Sequence, residues 1–223
     1  MWFNMGNIRL YGSTSGYTEL APPAVAPDGV LSLPSGTGTL ATTADSGLQI
    51  VSPTSIANSG GSASASGGQV SFTGVNTISL NGVFSSSFEN YLLVVSASGS
   101  TDNNALIRFR SAGADNTSAS YGHQRLIVDG STVSGSRSTG QSNSVWGNIS
   151  TSGIGINHIL IGSPFDSGKP TFGRSATNSP YLGVFIQDSA FTFASNTSFD
   201  GFTLYNTSGT ITGTIRVYGY RNA

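Results

Sequence analysis

Side chains that commonly carry catalysis are scarce in this chain. Its 223 residues hold two histidines, His123 and His158, two glutamates, Glu19 and Glu89, and no cysteine. Without thiols there can be no disulfide scaffold, thiol nucleophile, iron–sulfur cluster or cysteine zinc site. A metal site would then need histidine and carboxylate at close spacing, and no His-x-His or His–Glu pair occurs. Serine is too frequent, at 38 positions, to mark a nucleophile, and no Gly-x-Ser-x-Gly elbow is present. A paired-carboxylate glycosidase would have to draw on Asp166, Asp188 and Asp200, for which turn formation is the simpler explanation. Gly36-Thr37-Gly38-Thr39-Leu40-Ala41 matches a dinucleotide fingerprint in letters only. The TTADSG that follows has no helical face to receive a pyrophosphate. These residues predict a protein that is not an enzyme and needs no cofactor or metal.

Binding chemistry is better represented. Trp146 follows a long polar stretch and lies among Asn143, Ser144 and Asn148. An exposed indole there could stack on a sugar ring while the amides and hydroxyls read its substituents; a Trp-Gly pair at a strand start also suits a core. His123, beside Tyr121, follows another polar loop and is the more exposed of the two histidines by expectation. Trp146, His123 and Tyr121 are thus the candidate receptor contacts. His158, within INHILI, is expected on the opposite strand face from Ile159. Four Asn-x-Ser/Thr sequons, at Asn116, Asn148, Asn196 and Asn206, are no more than this composition implies.

The composition limits the elements that could position such residues. Only 9% of residues are charged, against roughly 25% in an ordinary domain. Nine cations do not make the basic patch that nucleic acid requires. At 37% hydrophobic and 10% aromatic the chain can still build a core. One lysine and two glutamates leave little helix-favouring material, while 30 glycines, 38 serines and 23 threonines suit turns and hydroxyl-covered strands. No apolar run approaches the length of a membrane span, so no membrane insertion is expected, and the MWFNMGNIRLYG start does not read as a signal peptide.

Three zones are expected. Residues 1–45 are an extended β arm, with short strands at 17–20 and 30–33 and turn chemistry at Pro22-Pro23 and Pro27-Asp28-Gly29. Residues 46–68, ending in ANSGGSASASGG, have the composition of a Gly/Ser-rich linker. Residues 69–223 read as strands in series. Tyr91–Ser96 is a continuous apolar run, as in a strand covered on both faces. Residues 202–205 and 210–220, joined by Asn206-Thr207-Ser208-Gly209, alternate like a β-hairpin. Gly113–Ser120 and Ser131–Ser144 are expected as long polar loops. The fold class is all-β, an antiparallel sandwich of jelly-roll or related topology behind the arm.

The arm resembles a segment found in virion proteins of tailed bacteriophages, in GSTSGYTELAPPAVAPDGVLSLPSGTGTLA at 12–41. Gly12, Ser15, Gly16, Tyr17, Pro34, Gly38, Thr39 and Leu40 fit its pattern. Ile215-Arg216-Val217-Tyr218-Gly219-Tyr220 resembles the closing strand of fibre-tip and decoration domains. Unlike a typical fibre, the chain has one copy of the segment and no long shaft. The resemblance implies a homotrimer whose arm attaches to another phage structural protein. Three copies about an axis could bury Tyr17, Leu20, Val25, Val30, Leu31 and Leu33, which two short strands cannot bury alone. The implied role is a structural protein of the phage particle, foremost a short tail fibre whose sandwich contacts a host surface glycan or protein. A capsid decoration or head-fibre protein is the alternative, and a carbohydrate-binding module the second.

Overall fold

A computed structural model of the chain describes residues 8–11, 17–20, 47–181 and 185–221. Contacts divide the chain into two units, 1–40 and 41–223. In the first, β1 (Ile8–Tyr11) and β2 (Tyr17–Leu20) form an antiparallel pair with Tyr11 opposite Tyr17. The strand expected at 17–20 is therefore present, and its partner is a segment for which the sequence raised no expectation. The other arm positions, Gly12, Gly16, Leu31, Leu33, Pro34, Gly38 and Leu40, and the strand expected at 30–33, lie outside the described residues.

The second unit is a β-sandwich of two antiparallel sheets. The smaller has six strands: β4 (Ser55–Ser59), β7 (Thr77–Asn81), β17 (Gly201–Asn206) and β9 (Asn103–Ser111) lie in that order. Beyond β9, its far edge is shared by β13 (Ser144–Ile149) and the short β10 (Ala114–Asp115). The larger has ten strands. Its order begins with β12 (Thr132–Gln141), β11 (Tyr121–Asp129), β16 (Phe185–Phe193), β15 (Thr171–Ser179) and β14 (Gly155–Gly162). It continues through β8 (Phe88–Gly99) and β18 (Ile211–Arg221) to β6 (Gln69–Val75) and β5 (Ser62–Ser66), with β3 (Leu48–Val51) beside the end of β18.

The stretch expected as a linker is part of this sandwich. Ser55–Ser66 runs antiparallel to Gln69–Asn81 as one long hairpin, with Ser55 opposite Asn81 and Ser66 opposite Gln69. Halfway along, both strands bend out of the six-stranded sheet into the ten-stranded one. Gly60 and Gly61 make the corner with φ of 71° and 50°. A Cβ on Gly61 would run into the backbone of Thr73 and Gly74, so only glycine fits there. The Asn76 amide donates to the Ser59 carbonyl at 2.6 Å across the bend. Small Ser and Ala side chains are what a strand crossing between two sheets can carry; composition alone cannot separate that use from flexibility.

The expected hairpin at 202–220 is corrected in a related way. Phe202–Tyr205 pairs with β7 and β9 in one sheet, and 211–221 pairs with β8, β6 and β3 in the other. Both segments are strands; β18 alternates buried and outward positions, while β17 is buried along nearly its whole length. The four residues 207–210 between β17 and β18 reach about 14 Å, enough to cross the roughly 10 Å between packed sheets. The Thr101 hydroxyl donates to the Ser208 carbonyl at 2.7 Å and the Thr210 amide to Ser100 Oγ at 2.8 Å, anchoring the crossing.

Aromatic rings fill the interior. Phe84 packs edge-on against Tyr91 at 4.8 Å, Phe109 stacks on Phe199 at 5.1 Å, and Phe193 meets both Phe199 and Tyr121 at 4.9 Å. Val83 and Phe84, beyond the Asn81-Gly82 turn, enter the core as a buried loop and not a strand. Each such ring or aliphatic group removed from water contributes about 1.5–3 kcal/mol.

Candidate functional site

The structure assigns the candidate receptor contacts to the interior. Trp146 and Tyr121 are fully buried, and His123 is buried on the same strand face as Tyr121. Tyr121 stacks on Phe109, and its hydroxyl donates to the Asn116 carbonyl at 3.0 Å. Desolvation pushes its ionisation well above the ordinary tyrosine range. Trp146 lies on β13, where a bulge between Val145 and Gly147 turns the indole inward. Its carbonyl accepts hydrogen bonds from the Ser175 and Thr177 hydroxyls of the facing sheet. Of the polar neighbours that suggested an exposed indole, Ser144 is buried and Asn143 and Asn148 are half-buried, beside a polar interior. Asn157, Ser175, Thr177, Gln187 and Ser189 all point inward from β14, β15 and β16. Asp166, Asp188 and Asp200 do not converge: they pair with Lys169, Arg174 and the Ala112 amide respectively.

Polar residues also close the outer face of the six-stranded sheet. Arg110 forms an ion pair with Asp115 and donates to Asn81 Oδ1 at 2.9 Å, Ser79 Oγ at 3.0 Å and Thr203 Oγ1 at 2.8 Å. The Arg108 guanidinium sits 4.9 Å over the Tyr205 ring. The Arg110 cluster is thus closed by its own hydrogen bonds.

The outer face of the ten-stranded sheet is different. Phe172 is 57% exposed, Ile156 and Leu126 53%, Ile186 51% and Leu160 44%. Cross-strand register sets these side chains in rows from β18 toward β11. The first row reads Tyr220, Asn90, Gly162, Phe172 and the second Tyr218, Leu92, Leu160, Arg174, Ala190. The third reads Arg216, Val94, His158, Ala176, Asp188, and the fourth carries Ile156 and Ile186. Arg174 donates to Asp188 through Nε at 3.1 Å and Nη2 at 2.6 Å. Tyr220 and Phe172 wall a shallow groove of about 560 Å³ whose floor is Asn90 and Gly162. His158 is exposed and Ile159 buried, as alternation required.

A second surface lies at the edge of the same sheet. Ser131–Ser144, expected as a loop, is mostly strand β12, which turns back at Gly130 along β11. Nearly every residue of β12 is exposed, and among the described residues it pairs with β11 alone. Serine, threonine and Arg137 give it a hydroxyl-rich edge. Arg125 ties the hairpin down, donating to Ser136 Oγ at 3.0 Å and to Asn104 Oδ1, on the other sheet, at 2.7 Å.

Among the described residues no cluster of three His, Asp or Glu could hold a metal ion, and no helix is long and apolar enough to cross a membrane. Compared with protein-family models, curated proteins and solved structures, the chain matches none.

Proposed function

We propose that the chain is a structural protein of a tailed-phage particle, of the short tail-fibre type, whose sandwich is presented outward to the host surface. The observation that carries the outward-contact part is the β11–β12 hairpin. It ends the large sheet in an exposed strand of hydroxyls and amides with an open backbone edge. Such an edge can add a strand of a surface protein or hydrogen-bond a glycan, while its scarcity of apolar side chains limits edge-to-edge aggregation. The particle assignment rests on the resemblance of 12–41 and 215–220 to virion segments, and the sandwich is compatible with it.

The capsid-decoration reading is favoured by one feature, the apolar outer face of the large sheet, which suits lateral contacts better than a water-facing tip. Imaging particles of the encoding phage with antibody to the purified chain separates the two. Label at the tail alone is the expected result. Label over the whole shell makes the chain a decoration protein, and its absence from purified particles overturns the virion reading. Purified chain should also compete with infection, and deleting 131–141 should remove that competition.

A further inference from the structure

The outer face of the ten-stranded sheet points to a second copy of this chain, and we infer that two copies meet there sheet to sheet about a two-fold axis running along β14. This inference stands on the face alone and not on the virion assignment. Two observations choose the occupant.

The first is area. The five strands β18, β8, β14, β15 and β16 at about 4.8 Å spacing and four outward rows at about 6.8 Å cover on the order of 650 Å². That is near the lower end of the area each partner of a standard stable interface contributes. Leu92 and Val94, from the run whose sequence predicts a strand covered on both faces, are part of it. Their strand has one face in the core and the other on this surface.

The second is self-complementarity. With the axis along β14, each strand faces its mirror position in the other copy, so β18 meets β16 and β8 meets β15. Leu160 then packs on Leu160 and Ile156 on Ile156. Arg216 faces Asp188 in both directions, an opposite-charge pair made twice by symmetry. In the first row, the Phe172 ring of the second copy falls over Asn90, into the groove that Tyr220 and Phe172 wall. Gly162 lies on the axis opposite Gly162, so nothing obstructs either ring. His158 faces His158 across the axis. A packing angle of about 30° between aligned sheets shifts the outermost positions by about 5 Å, which the length of Arg216 accommodates.

The test uses the full chain. Its solution mass at micromolar concentration should correspond to an even number of copies, and Leu160→Glu and Phe172→Ala should each halve it with the circular dichroism of the monomer unchanged. Arg216→Asp should weaken association at least tenfold. The absence of cysteine gives a second readout. Leu160→Cys should join two chains through a short bifunctional thiol crosslinker, since sheets pack about 10 Å apart, beyond disulfide reach. Leu126→Cys, at the margin of the face, should not. A mass of one or three copies overturns the inference, as does association that survives Leu160→Glu, or equal crosslinking at 126 and 160.

Discussion

The Tyr121 hydroxyl accepts the Phe109 amide at 2.9 Å, joining a strand of the large sheet to one of the small. The same oxygen donates to the Asn116 carbonyl at 3.0 Å, so one buried phenol satisfies two backbone groups. Tyr121→Phe keeps the ring but leaves both groups unpartnered. The expected cost is about 1–3 kcal/mol, read as a lower denaturation midpoint with an unchanged slope. Tyr121→Ala also empties the space against Phe109 and Phe193 and should cost about 3–5 kcal/mol. Equal losses for the two variants would mean that the hydrogen bonds contribute nothing.

Arg110 supports a second prediction. Its guanidinium is almost enclosed, with Asp115, Asn81, Ser79 and Thr203 about it. Asp115→Ala leaves that cation buried without its carboxylate, which should cost about 3–5 kcal/mol. Arg110→Met with Asp115→Leu removes both charges and should cost less than Asp115→Ala alone. Urea denaturation of the two proteins decides it, and a double variant weaker than the single would overturn this account.

His123, expected as the more exposed histidine, is the buried one, and His158 is exposed. The β-rich class, most strand positions and the placement of His158 on the face opposite Ile159 were legible from alternation and turn residues. Which sheet each strand joins was not. Apolar and polar residues alternate in Phe202–Tyr205 and Ile211–Tyr220 whether these strands pair with each other or lie in opposite layers, because each turns its apolar side chains to the core either way. Trp146 misled for a similar reason. Its Asn and Ser neighbours are equally at home on a surface and in a polar interior, and the bulge that turns the indole inward leaves no compositional trace. The apolar outer face was present as a signal in INHILI and YLLVVS, where apolar residues occupy both parities of the strand. That pattern states that both faces are covered, without saying by what.

His123 gives a pH dependence. Burial, and then the nearby Arg125 guanidinium, hold its imidazole below the ordinary value. Ser138 of β12 and Phe191 of β16 flank it in register, Arg137 lies across the adjoining hollow, and its Nδ1 has no hydrogen-bond partner among the described residues. In the unfolded chain the imidazole binds a proton near pH 6.5. Between that value and its lower folded value the unfolded state holds more protons, so stability falls as pH falls. Stability is full above about pH 6.5 and is lost progressively as pH drops through the folded value. His123→Asn should flatten the slope of stability against pH in this window, measured by thermal melts from neutral to mildly acid buffer. An unaltered slope in His123→Asn would remove the residue as its source.

The corner at Gly61 separates a crossing strand from a flexible linker. Its φ of 50° and the backbone of Thr73 and Gly74 where a Cβ would lie make any side chain costly. Gly61→Val should destabilise the sandwich by several kcal/mol, since the strain of a β-branched residue at positive φ adds to displacement of the Thr73–Gly74 backbone. Gly67→Ala, at the hairpin tip with open space around its Cβ position, has a φ of 55° and pays only the conformational part, about 1–2 kcal/mol. A linker would tolerate both changes equally and would be cut there first by a non-specific protease. The expected outcome is an ordered pair of losses, larger at 61 than at 67, with 55–66 protected from cleavage until the sandwich unfolds.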